Sequence, residues 1–177
     1  MIQANLIAAV AFASVLGGIP AATAGELPAI RNGFEGVGDV LQIALPVAAA
    51  VCAVRKREFW PYAGRFAGQA LLVEGVKSGL GKSTLNRRPN GSYNGFPSGH
   101  TAAAFYGASY LSRQCLQNKG QKAIAYGLAA VVAASRMQAN KHNLGQVVAG
   151  ALVGYMFDNV TVNFQGGSFQ LGMRFEF

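Results

Sequence analysis

What most limits the folds open to this chain is its division into apolar stretches cut by short polar breaks. The stretches fall near residues 4–24, 37–54, 59–80, 101–116, 122–135 and 144–157. Charged residues make up 12% of the chain, about half the share of an ordinary soluble domain. So little charge favours membrane helices. Several stretches fall short of the ~20 residues a spanning helix needs, and their Ala and Gly content would also suit the buried helices of a soluble bundle. Gly64-x-x-x-Gly68 and Gly150-x-x-x-Gly154 mark places where helix backbones can approach closely. At 177 residues the chain is one domain.

Both ends differ from the middle. "LIAAVAFASVLGGIPAATAGE" carries a signal-peptide h-region and an A-x-A site at Ala22-Thr23-Ala24, although no Lys or Arg precedes it. Residues 1–24 are therefore a signal peptide or a first membrane helix, and 25–158 form the helical core. The tail, 159–177, reads "NVTVNF", "QGGS", "FQLGMRFEF". This predicts a β-hairpin with Phe169, Leu171, Met173, Phe175 and Phe177 on one face. The two cysteines, Cys52 and Cys115, lie in apolar runs and are expected as buried free thiols, a disulfide between them being the alternative.

The formal net charge of +8 asks for an anionic partner. A single tryptophan and no basic–aromatic interleaving speak against nucleic acid. If the chain starts on the inner side of a membrane, the breaks facing the cytoplasm hold Arg55, Lys56, Arg57, Arg113, Lys119 and Lys122. The opposite breaks hold Arg31, Lys82, Arg87, Arg88, Arg136 and Lys141. The outer side is as basic as the inner, which needs a reason such as a bound ligand. "GLGKST" imitates the end of a nucleotide-binding loop, but position 76 is Val76 where that pattern requires glycine.

Two histidines stand out. In "GFPSGHTAAAF", Ser98 is placed to cap a helix opened by Gly99 and His100, so that free backbone N–H groups face outward and can receive an anion. In "SRMQANKHNLGQ", His142 follows Arg136 just before another apolar stretch, and "KSTLNRRPNGS" supplies Lys82, Arg87 and Arg88. Helix parity puts all of these on one side. Two histidines, several cations and an amide cradle suit metal-free handling of a phosphoryl group. No metal ligand set is apparent, and no cofactor is expected.

The order K-x-x-x-x-x-R-P, P-S-G-H, S-R-x-x-x-x-x-H resembles the three-part signature of the type 2 phosphatidic acid phosphatase superfamily, over about residues 70–157. That resemblance implies an all-α, six-helix bundle embedded in a membrane, here with the short C-terminal β-hairpin appended. It also implies a lipid phosphatase working through a phosphohistidine. His142 would be the nucleophile and His100 the general acid. Lys82, Arg88 and Arg136 would bind phosphate with Ser98 and the Gly99 amide. The implied partners are a phosphorylated lipid and a membrane, in the bacterial inner membrane with the site facing the periplasm. Two positions depart from the pattern. Five residues rather than six separate Lys82 from Arg88, and Gln146 stands where the family has the aspartate that orients the nucleophile. Gln146 and a carboxylate such as Asp39 are the candidate orienting groups, with Glu35 and Glu74 nearby in the outer breaks. A catalytically degenerate binder of phosphorylated lipid and a soluble periplasmic acid phosphatase are the alternative readings.

Overall fold

The computed structural model describes residues 33–165 and 168–173. Five helices follow one another: α1 Phe34–Arg55, α2 Phe59–Leu80, α3 Gly99–Gln114, α4 Lys119–Gln138 and α5 Leu144–Asn159. The five apolar stretches after the first become these helices. The expected sixth helix and the 1–24 segment fall outside the described residues. The tail is the predicted hairpin: β1 Val160–Gln165 pairs antiparallel with β2 Ser168–Met173, Val162 opposite Leu171 and Phe164 opposite Phe169. Phe175 and Phe177 are outside the described residues.

α3 sits at the centre, with α1, α4 and α5 packed around it. Its small residues make this possible: Ala102, Ala104 and Ala108 are fully buried. Side chains at Gly150 or Gly154 of α5 would collide with the backbone carbonyls of Ser98 and Ala102, so that glycine pair sets the α3–α5 spacing. Gly64, by contrast, faces open space. The larger side chains gather where α2 meets α3. Tyr62, Phe66, Tyr106 and Tyr110 form an aromatic cluster, the Tyr62 and Tyr110 rings edge-on at 4.7 Å. Each buried hydroxyl finds an acceptor, as burial demands: Tyr62 donates to the Pro46 carbonyl at 2.6 Å and Tyr106 to the Tyr62 carbonyl at 2.6 Å.

Cys52 and Cys115 are joined in a disulfide, their Cα atoms 6.5 Å apart. This corrects the expectation of free thiols. The two runs that carry them belong to adjacent helices, and both cysteines pack against the aromatic cluster, which brings them within bridging reach.

Helix direction divides the bundle into two charged ends. One carries Glu35, Asp39, Glu74, Lys77, Arg88, Arg136 and Lys141; the other carries Arg55, Lys56, Arg57, Arg65, Arg113, Lys119 and Asp158. Stretches 40–54, 66–73, 101–112, 123–135 and 144–157 between them hold no charged residue. The outer helices expose apolar side chains in that zone: Val40, Val47 and Val51 on α1, Leu71 on α2, Ile124 on α4, Leu152 and Met156 on α5. Among the described residues one helix, α1, is long and apolar enough to cross a membrane by length and composition.

Candidate active site

The site is built at the start of α3, where the 81–98 and 139–143 connections converge. Ser98 caps the helix as expected: its hydroxyl accepts the Thr101 N–H at 3.5 Å and the Thr101 hydroxyl at 3.0 Å. Ser98 is fully buried. The N–H groups of Gly99 and His100 are among the first donors of α3, which the helix itself cannot satisfy. A methyl group added at Gly99 would meet the Lys77 ammonium at 3.4 Å. Lys77 therefore stands over the helix start, its side chain largely buried and paired with Glu74 at 2.6 Å. Lys82 lies exposed in the turn after α2.

Motif spacing did not single out Lys77. It precedes Gly81 by four residues, so it occupies the same face of α2 one turn earlier. Asn86, fully buried, is the other unanticipated participant. Its amide nitrogen donates to the Lys77 and Gly81 carbonyls at 2.9 and 2.7 Å, tying off the end of α2. Its side-chain oxygen accepts the Phe96 N–H at 3.1 Å, and its main-chain carbonyl accepts the Gly95 N–H at 2.8 Å. One asparagine thus holds Lys77's helix end against the loop leading to His100. Its position two residues before Arg88 gave no hint of burial.

Arg88 donates from Nη2 to the Asn94 carbonyl at 3.0 Å. Its Nε is buried with no hydrogen-bond partner among the described residues. Arg136 is nearly inaccessible and is gripped by α1: Nη1 lies 2.8 Å from Asp39 Oδ1, and Nη2 donates to the Glu35 carbonyl at 2.8 Å. Nε donates to the Ser135 hydroxyl at 3.2 Å. A guanidinium carries five N–H donors, so these three bonds leave others for a ligand. Asp39 also lies 3.7 Å from His100 Nε2. The acid that sequence reading placed near His142 as an orienting group is found beside the other histidine.

His142 sits in the tight turn between α4 and α5, its ring buried. Nδ1 is 2.9 Å from the Gly95 carbonyl and 3.3 Å from Gln146 Oε1. Both are acceptors in that arrangement, so Nδ1 carries the proton and Nε2 the lone pair. Burial and the Arg88 charge pull its pKa down to about 4, opposed by the Gly95 and Gln146 contacts. Burial, then Arg136, His142, Lys77 and Arg88, pull His100 down to about 3. Electrostatically, the two histidines and three of the cations form one cluster. Among the described residues, no group of three or more His, Cys, Asp or Glu is arranged to hold a metal ion.

A helical bundle that gathers two histidines, a lysine and two arginines around one helix N-terminus has the parts of a phosphoryl-handling protein. The chain belongs to the PAP2 superfamily, whose family model matches residues 54–169 and whose members are typically phosphatases. No curated protein and no solved structure matches it.

Proposed function

We propose that this protein is a metal-independent phosphatase acting on a phosphomonoester or pyrophosphate of a lipid, through a phosphohistidine. The observation that carries the reading is the pairing of His142, with Nε2 unprotonated, and His100 within one cluster of Lys77, Arg88 and Arg136. Nε2 of His142 attacks phosphorus and the N–P bond forms as the P–O bond breaks. The departing oxygen takes its proton from His100. Water then attacks phosphorus, gives its proton to His100, and releases inorganic phosphate from His142. Cations and α3 amides bind the equatorial oxygens, Lys77 taking the place that motif spacing gave to Lys82. His100 is neutral among bare cations. A phosphate dianion among them offsets their charge and lifts its pKa, so the substrate itself readies the acid.

The lipid assignment rests on the uncharged zone and the apolar side chains that the outer helices expose there, a pattern that suits a hydrocarbon environment. A second reading, a soluble periplasmic acid phosphatase, is favoured by the disulfide. Cys52 and Cys115 lie at the end of the bundle away from the histidines. Disulfides persist in oxidising compartments, so both ends of the bundle would then face the periplasm.

The deciding experiment is phosphate release by detergent-purified protein from a panel of lipid phosphates and one soluble ester, with His142→Ala in parallel and detergent partitioning of the parent. Release from lipid that is lost in the variant supports the first reading. A preference for the soluble ester with aqueous partitioning supports the second. Phosphate binding without turnover leaves a binder of phosphorylated lipid.

A further inference from the structure

We propose that Gln146 is a positioning residue that fastens the Arg88 segment to the His142 turn, and that its position needs an amide and not a carboxylate. The inference builds on the phosphatase reading and concerns how that site is held together.

Gln146 is 1% exposed and every polar group of its side chain is in use. Nε2 donates to the Leu85 carbonyl at 3.1 Å and to the Arg87 carbonyl at 2.9 Å, the backbone immediately before Arg88. Oε1 accepts the Asn143 N–H at 3.2 Å and lies 3.3 Å from His142 Nδ1. The main-chain carbonyl accepts the Ser98 N–H at 2.9 Å. One residue therefore ties the 81–98 connection, near its start and at its end, to the 139–143 turn. Gly95 permits this closeness, because a Cβ there would meet Nε2 at 2.5 Å and Arg88 Cγ at 2.9 Å.

The two donated hydrogens are what an ionised acid lacks. Glutamate at 146 would set a negative oxygen against two carbonyl oxygens with no proton between them. Aspartate would also withdraw the group by one carbon. The ring-orienting duty is met elsewhere, by the Gly95 carbonyl at 2.9 Å, which releases position 146 for the clamp.

The test compares the parent with Gln146→Glu and Gln146→Asp in the full chain. Calorimetry with inorganic phosphate and vanadate reads the cradle, kcat and KM separate chemistry from binding, and hydrogen exchange over residues 85–95 reads the tether directly. Both substitutions are expected to weaken phosphate and vanadate by about tenfold or more, to speed exchange in that segment, and to leave kcat no higher than the parent's. A variant that fails to fold is replaced by Gln146→Met, similar in size without the donors, with the same expectation. Parent-like phosphate affinity and exchange, or a kcat raised by either acid, would overturn the proposal. A parent that neither turns over nor binds phosphate would sink the phosphatase reading alone, because the exchange comparison still decides whether Gln146 holds the loop.

Discussion

The Gly95 carbonyl oxygen lies 2.9 Å from Nδ1 of His142, and because a carbonyl can only accept, the ring is locked in the tautomer whose Nε2 is free to attack. His142→Ala should then lower turnover by at least about a thousandfold, as loss of a nucleophile does. Quenching turnover with alkaline denaturant, in which a phosphohistidine survives, should trap protein-bound phosphate in the parent and in His100→Ala but not in His142→Ala. His100→Ala should slow phosphoenzyme formation from an alkyl phosphate by about 10²-fold or more and from a nitrophenyl phosphate far less, since the latter's leaving group needs no proton, while it slows phosphoenzyme hydrolysis equally for both.

Lys77 and Lys82 give a direct comparison. Lys77→Ala should raise KM and the vanadate inhibition constant by about tenfold, the scale of one charge-assisted hydrogen bond. Lys82→Ala, at an exposed turn position, should change either by less than about twofold.

Asp39 lies 3.7 Å from His100 and bonds Arg136 at 2.8 Å. Removing its charge disfavours the imidazolium, so Asp39→Asn should shift the alkaline limb of the kcat profile to lower pH. A profile that keeps its shape while the rate falls uniformly would assign Asp39 to holding Arg136 alone.

Folding stability should fall as the medium is acidified. His142 is held neutral in the folded protein with a pKa of about 4, against about 6.5 in an unfolded chain. Between those values the unfolded state binds the extra proton, so stability is full above pH 6.5 and declines toward pH 4. Urea midpoints measured across that window should slope less for His142→Asn than for the parent.

The two small-residue pairs should separate in melting experiments. Gly150→Ala and Gly154→Ala press a methyl group onto the Ser98 and Ala102 carbonyls and should each cost about 2 kcal/mol or more. Gly64→Ala, in open space, should stabilise by about 0.5–1 kcal/mol from helix propensity.

Much of this was legible in the sequence, for physical reasons. Unbroken apolar runs leave few alternatives to helices, and the alternation of the tail leaves few to a hairpin. Ser98 as a cap, the Gly150–Gly154 contact and the convergence of His100, His142, Arg88 and Arg136 all follow from local pattern and helix parity. What escaped depends on geometry that spacing does not encode. Lys77 reaches the start of α3 from one helical turn before the motif position, where a linear motif does not look. Asn86 and the Gly95 carbonyl act through the backbone of a loop whose path no pattern describes. The disulfide required knowing that the ends of α1 and α3 lie side by side.

That bond has a mechanical consequence. It pins α1 to α3 at the end where neither helix carries catalytic groups, while Asp39 and His100 stand near their other ends, ~20 Å along each axis at 1.5 Å per residue. Two stiff rods bonded at one tip behave as forceps, and whatever play the Arg136 grip on Asp39 and Glu35 leaves appears at the far jaws. Closing the gap of 3.7 Å between Asp39 and His100 to a hydrogen bond of ~2.8 Å takes a rotation of roughly 3° about such a pivot. A change too slight to disturb the packed middle of the bundle is enough to bring His100 and Asp39 into hydrogen-bonding contact.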